Sequence, residues 1–171
     1  MPSSPIMETK KTSVLFVCMG NICRSPAGEG VMRALVAKAG LSDRVEIASA
    51  GTIGLHAGEP PDARMRAAAA RRGYELKSRA RQITRADLDR YDLILTMDGD
   101  NLRNVLALAG TDAQRARVRP FVGFCGKHAD TSVPDPYYGG DEGFEHVLDL
   151  LEDGCDGVLE TLRDTKGSGV A

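Results

Sequence analysis

"VLFVCMGNICRSP", Val14 to Pro26, joins a continuous apolar run to a proline of the kind that opens helices. The run "SVLFV", Ser13 to Val17, has the unbroken apolarity of a strand covered on both faces, as in parallel sheets. Between run and proline lies a loop carrying two cysteines and an arginine in the pattern Cys18-x5-Arg24-Ser25.

The alternation of strand, loop and helix continues along the chain. After Pro26, Val31, Leu35 and Ala39 repeat at i, i+4 and i+8, and Gly40 ends the pattern. "VEIASAG" (Val45 to Gly51) reads as a second strand, followed by a Gly/Pro-rich loop to Pro61 and an Ala/Arg-rich helix ending at Gly73. "DLILTMD" (Asp92 to Asp98) reads as a third strand, with Asp98 capping a helix whose apolar face is Leu102, Val105 and Leu106. "VRPFVGF" (Val118 to Phe124) is expected as a fourth strand, its pairing weakened by Pro120. The last helix has the clearest signal: Phe144, Val147, Leu148, Leu151, Cys155, Val158, Leu159 and Leu162 keep a 3.6-residue period, and only Gly154 and Gly157 weaken it. This order predicts an α/β fold, a small four-stranded parallel sheet with helices on both faces and the loop of Cys18 between first strand and first helix. Residues 13–164 are expected to form one domain, with 1–12 and 165–171 as flexible tails.

Composition bounds the function. With 171 residues, 42% apolar and 27% charged, the chain suits one globular domain. A net charge of −2 argues against a nucleic-acid partner, which usually requires a basic footprint, but it allows a local basic pocket. No apolar run approaches the ~20 residues of a membrane span, and "MPSSPIMETKK" lacks a signal-peptide core, so a cytoplasmic protein with no membrane partner is expected. Four cysteines without a CxxC pair suit neither a disulfide scaffold nor structural zinc. His56, His128 and His146 fall in no ligand spacing, so no metal site is expected and each histidine reads as a surface or capping residue.

A parallel sheet carries its site at the carboxyl ends of its strands, in the loops after Val17, Gly51, Met97 and Phe124. The loop "CMGNICRS" contains neither GxGxxG nor GxxxxGK[ST], so no nucleotide fingerprint is written there. With four cysteines and 16 arginines, about 0.4 Cys-x5-Arg pairs arise by chance, so the spacing alone slightly favours a buried Cys at a strand end beside a surface Arg. Its context favours an anion site. A helix N-terminus and a curling loop of Met19, Gly20, Asn21, Ile22 and Cys23 turn backbone N–H groups toward phosphate or another oxyanion. Gly20 and Asn21 tolerate the left-handed backbone that curling needs, and Arg24 adds a fork matched to phosphate oxygens. A helix N-terminus and a cation favour the thiolate of a cysteine on the loop floor, and the Ser25 hydroxyl can bond to the sulfur. Cys18 is then a nucleophile aimed at phosphorus.

Phosphate ester cleavage needs a proton donor for the leaving oxygen. "VPDPYYGG" offers Asp135 between two prolines, with Tyr137 and Tyr138 placed to wall a pocket for a flat substrate; the same residues also suit an ordinary turn. Asp98 and Asp62 compete as acids but are explained as helix caps.

From Val14 to Leu162 the sequence resembles the low-molecular-weight protein-tyrosine phosphatases. "VCMGNICRSP" matches their phosphate loop and "DPYYG" their general-acid segment, with "SAGT", "GEPPDAR", "RARQIT" and "TMDGDNL" as intervening blocks in order. The resemblance implies double displacement without cofactor on tyrosine-phosphorylated proteins: Cys18 as nucleophile, Arg24 as clamp, Asp135 as acid then base, Ser25 supporting the thiolate. Asn21 would shape the loop through Ser49. There are departures: Leu55 stands where many relatives have an aromatic at the pocket rim, Ser78 replaces a histidine some members place near the loop serine, and tryptophan is absent. An arsenate reductase on the same fold would need shuttle cysteines close together, whereas Cys125 and Cys155 lie thirty residues apart. A phosphoarginine phosphatase would be expected to carry Thr at Ile22, where an apolar side chain suits a phenyl ring better. Cys23 reads either as packing or as a thiol that captures oxidised Cys18.

Overall fold

The run that begins at Thr12 forms the centre of the sheet. In a computed structural model, which describes residues 11–136 and 140–168, four parallel strands take the order β2-β1-β3-β4. They are β1 (Thr12–Cys18), β2 (Val45–Gly51), β3 (Leu93–Thr96) and β4 (Val118–Pro120). Val14, Leu15, Phe16 and Val17 are all fully buried, as the unbroken apolar run requires of a strand covered on both faces. Val14, Phe16 and Cys18 face a layer built from α1 (Arg24–Lys38), α2 (Ala63–Arg71) and α6 (Asp141–Ser168). Leu15 and Val17 face the other layer, with Leu88 of α3 (Asp87–Arg90) and Val105 of α4 (Gly99–Leu106). A fifth short helix, α5 (Asp112–Ala116), precedes β4.

The order places a switch point beside β1, because the chain leaves β1 toward β2 on one side and returns to β3 on the other. Loops that follow β1 and β3 therefore diverge and open a crevice at the carboxyl edge. The loop after β1 lies in that crevice.

Two boundaries and two short helices differ from the sequence reading. β4 stops at Pro120, and Phe121–Phe124 form a 3-10 turn instead of continuing the strand. Pro120 brings no N–H to the ladder, and Phe121 turns into the core, fully buried, with its ring 6.0 Å from that of Phe16. The last helix is continuous to Ser168, beyond the boundary expected at 164. The helices α3 and α5 were not expected; at four and five residues they are too short to show a period.

Gly154 and Gly157, which weaken the helical signal of α6, have a packing reason. A Cβ on Gly154 would lie 2.2 Å from the Phe121 ring, and one on Gly157 would lie 2.0 Å from the Phe124 carbonyl oxygen. The two glycines form a seat on which the turn after β4 rests. Asp153 completes it. Its buried carboxylate accepts the backbone N–H groups of Gly126, Lys127 and His128, each at 2.9 Å, and stands 2.7 Å from His128 Nδ1. His146 on the same helix pairs with Asp130 at 2.9 Å, so two of the three histidines tie the segment before Asp135 to α6.

Burial opposes the Asp153 charge, but the His128 ring and the three N–H groups outweigh it and hold the carboxyl down at about 2. Such a group stabilises the fold above its unfolded value near ~4, and the benefit is lost as pH falls through about 2. Asp153→Asn should therefore be less stable than the parent by on the order of 2 kcal/mol at pH 6–7. Denaturant titrations should show that gap narrowing steadily from about pH 4 downward; a gap independent of pH would mean that the charge is not what holds the segment.

Candidate active site

Cys18 ends β1, opposite Gly51 of β2, and its side chain lies at the floor of a cleft of about 240 Å³. The loop curls from Met19 to Cys23 and passes directly into α1, whose N-cap Cys23 offers no side-chain hydrogen bond. The first-turn N–H groups of α1 thus belong to the loop rather than to a capping side chain. Asn21 is the one non-glycine residue with positive φ among the described residues, at 59°. An asparagine accepts that conformation at lower cost than other side chains. Close approach matters as much: a Cβ at Gly51 would sit 2.6 Å from the Met19 carbonyl oxygen, so only glycine lets the loop rest against β2.

The Asn21 carboxamide fixes the curl from within. Nδ2 donates to Ser25 Oγ at 2.8 Å and to Ser49 Oγ at 3.0 Å, while Oδ1 accepts the Arg81 N–H at 3.0 Å. Ser25 Oγ lies 3.0 Å from Cys18 Sγ. Sequence reasoning pointed to the Asn21–Ser49 and Ser25–Cys18 contacts, but not to the Asn21–Ser25 bond or the Arg81 N–H.

It missed two others. Glu29, buried on α1, accepts from Ser49 Oγ at 2.7 Å and is held by Arg33 at 2.9 Å. A carboxylate only accepts, so Ser49 gives its proton to Glu29 and receives one from Asn21. Asn21 likewise spends a proton on Ser25, whose own hydroxyl proton has Cys18 Sγ at 3.0 Å and the Ala50 carbonyl at 3.4 Å as acceptors. Two branches diverge from the Asn21 amide, one through Ser49 to Glu29 and one through Ser25 toward the sulfur, so Glu29 steadies the carboxamide from which both start.

The second is Asp98. It caps α4 as expected, through the Asn101 N–H at 2.8 Å, but its other oxygen accepts from Arg24 Nη1 at 2.6 Å. Arg24 is buried, and the same Nη1 donates to the Val133 carbonyl at 3.0 Å. Asp135 Oδ2 stands 3.7 Å from Arg24 Nη2, so the structure brings Cys18, Arg24 and Asp135 to one cleft. Val133 N–H donates to the Met97 carbonyl at 2.7 Å, anchoring the Asp135 segment to the end of β3. Leu55 lies at the cleft mouth with Met19, Ile22 and Ile53. Tyr137 and Tyr138 lie outside the described residues.

The remaining thiols differ from Cys18 in setting. Burial pushes Cys23 well above the ordinary thiol range, with the charges of Asp62, Cys18 and Asp135 adding to it. Burial raises Cys125 to about 11, with Asp153 and Asp130 contributing. Cys155 is fully buried among core residues.

The structure gathers a thiol from the end of β1, a guanidinium from the head of α1 and a carboxyl group from the segment before α6 around one cleft. The family model for low molecular weight phosphotyrosine protein phosphatases matches residues 13–167 of this chain. A low molecular weight protein-tyrosine-phosphatase of Streptomyces coelicolor is 45% identical over 153 residues, covering 88% of this chain and 93% of that protein. The human low molecular weight phosphotyrosine protein phosphatase is 38% identical over 154 residues, covering 90% and 97%. A crystal structure of a protein tyrosine phosphatase from Entamoeba histolytica, with Hepes in its active site, superposes with a TM-score of 0.89 at 39% identity, covering 91% of this chain and 99% of that one. The chain belongs to the low molecular weight phosphotyrosine protein phosphatase family, a family of hydrolases.

If Glu29 steadies the Asn21 carboxamide through Ser49, Glu29→Gln lets a carboxamide N–H compete at Ser49 and loosens the bond from Asn21 to Ser25. We expect kcat/KM to fall roughly tenfold, as for loss of one charge-assisted hydrogen bond. In a Ser25→Ala background the same substitution should cost little, because coupled residues are not additive. Equal losses in both backgrounds would show that Glu29 acts on stability alone.

Proposed function

We propose that this chain hydrolyses phosphotyrosine in proteins through a cysteinyl-phosphate intermediate. The observation that carries this is the convergence on one cleft of Cys18, whose Sγ lies 3.0 Å from Ser25 Oγ, with Arg24 and Asp135. A phosphate seated in the loop would receive the backbone N–H groups of the curl and of the α1 N-terminus. A guanidinium has five N–H donors; with Nη1 given to Asp98 and Val133, those on Nε and Nη2 serve the oxyanion. Cys18 Sγ attacks phosphorus, the phenolic oxygen departs, and Asp135 gives it a proton. Asp135 then takes a proton from water, water displaces the sulfur, and inorganic phosphate leaves. Hepes carries a sulfonate, so its presence in the active site of the Entamoeba histolytica relative supports an oxyanion site in the same place.

The rival readings lack support. Arsenate reduction needs thiols that can shuttle a disulfide with Cys18, but Cys155 is in the core and neither it nor Cys125 lines the cleft of Cys18. We assign the catalytic domain to residues 13–164 and the place of action to a reducing compartment such as the cytoplasm, because the chemistry requires Cys18 as a free thiol.

Cys18→Ser should lose turnover and still bind phosphate, since the amides and Arg24 remain. Asp135→Ala should slow phenyl phosphate far more than nitrophenyl phosphate, because a phenolate of pKa near ~10 depends more on a donated proton. An unchanged dependence of rate on leaving-group pKa would place the acid elsewhere.

Redox sensitivity follows from the second cysteine of the loop. Hydrogen peroxide oxidises the Cys18 thiolate to a sulfenic acid, and Cys23 Sγ can displace water from it to form a disulfide. Cys23 and Cys18 line the same cleft. The raised Cys23 thiol should make this closure slow near neutral pH and faster as pH rises. Mass spectrometry after peroxide should find the two peptides linked, and Cys23→Ser should recover poorly on reduction. Full recovery by that variant would leave Cys23 as packing only.

A further inference from the structure

Among the described residues, three large apolar side chains stand exposed: Leu55 at 75%, Met19 at 43% and Ile53 at 37%. Single exposed apolar residues are ordinary, but these three share one place, the mouth of the cleft above Cys18. They sit on built backbone. Ile53 N–H donates to the Met19 carbonyl at 3.0 Å, Ala57 N–H to Gly54 at 3.1 Å, and Gly58 N–H to Ala80 at 2.8 Å. Gln82 braces the turn from outside through Nε2 to the Thr52 carbonyl at 3.2 Å. Leu55 is thus held out toward solvent by a turn tied at both ends.

The cleft itself is small. Ligand pockets for drug-sized molecules run to ~300–1,000 Å³, whereas this one, at about 240 Å³, suits a phosphorylated ring and little more. Residues next to a phosphotyrosine would therefore lie at the mouth, against Leu55 and Ile53. The charges there are of the wrong kind for acidic neighbours. The guanidinium lining the cleft, Arg24, is buried and faced by Asp98 and Asp135. His56, packed over Gly20, is turned to Glu59 at 3.1 Å, and Glu59 is exposed. Arg64, at the start of α2, is turned to Asp62 and stacks on the Phe144 ring at 4.9 Å.

We infer that the mouth of this cleft is a subsite for an apolar side chain adjacent to the phosphotyrosine of a protein substrate, with Leu55 as its principal contact. This rests on the phosphatase reading above and adds a substrate class to it: phosphotyrosines flanked by aliphatic residues, in preference to those flanked by Asp or Glu.

The test compares kcat/KM on three substrates: a phosphotyrosine peptide with Leu or Ile on both sides, the same peptide with Glu on both sides, and phenyl phosphate, which has no flanks. The parent should favour the aliphatic peptide over the acidic one by roughly tenfold, the scale of one well-buried apolar contact. Leu55→Ala should cut that preference to about twofold, and its loss on the aliphatic peptide should exceed its loss on phenyl phosphate at least fivefold. Leu55→Lys should invert the preference. Equal losses of Leu55→Ala on peptide and phenyl phosphate would show that Leu55 touches only the ring, and equal parent rates on both peptides would show that no subsite exists; either result overturns the inference while leaving the phosphatase reading intact. Failure of the parent on phenyl phosphate as well would overturn both.

Discussion

The backbone of the phosphate loop is bent through a left-handed residue, and the side chain of that residue is what keeps it bent. Asn21 could relax toward an ordinary conformation were its carboxamide not committed on both ends, to Ser25 and Ser49 through Nδ2 and to the Arg81 backbone through Oδ1. Those partners belong to α1, to β2 and to the strand-like segment beyond α2. A single buried amide thereby ties the loop to the helix it opens, to a neighbouring strand and to a distant stretch of chain. Because each of its polar atoms is buried, losing any partner would leave a donor or acceptor unpaired, which costs more than the bond itself contributes. The curl is held from three sides for that reason.

A buried guanidinium poses the opposite problem. Taking Arg24 out of water is expensive unless its charge is matched, and the structure matches it twice, with Asp98 close and Asp135 farther off. The two carboxylates play different parts because they are held differently. Asp98 is fixed at the head of α4 by the Asn101 N–H it caps, and its oxygen on Nη1 keeps the guanidinium plane in place. Asp135 sits on the segment pinned by Val133 and, further back, by Asp153 and His146. One carboxylate orients the cation from 2.6 Å; the other faces it from 3.7 Å, on the segment before α6.

What could be read from the sequence was what the chain keeps local. The loop of Cys18, Arg24 and Ser25 is contiguous, so its chemistry shows as a spacing, and the buried strand beside it shows as an apolar run. Asp135 could be found because prolines mark its turn. Asp98 was seen only as a helix cap because that role is local; its bond to Arg24 spans 74 positions and leaves no trace in either neighbourhood. Glu29 was invisible for the same reason, since its partner Ser49 lies on another element. Gly154 and Gly157 looked like defects in a helix, because propensity measures what a residue does to its own helix. Their purpose is to admit Phe121 and Phe124, which come from elsewhere in the chain.

Composition was uninformative about the site, and the reason is one of scale. A chain of net charge −2 binds a dianion only if the local field differs from the average. Interactions between exposed charges fade beyond about 8 Å at physiological salt, so the carboxylates of Asp149 and Asp156, exposed on α6, weigh little at a cleft they do not line. Near the sulfur, the positive contributions are the α1 N-terminus and Arg24, while Asp98 and Asp135 face the guanidinium and Glu29 lies behind the loop. Glu29 acts through hydrogen bonds rather than through its field: it takes the Ser49 proton, so Ser49 offers its lone pairs to the Asn21 amide, whose other N–H reaches Ser25 beside the sulfur. An acidic residue placed behind the loop in this way strengthens the anion site it would repel if it stood in front.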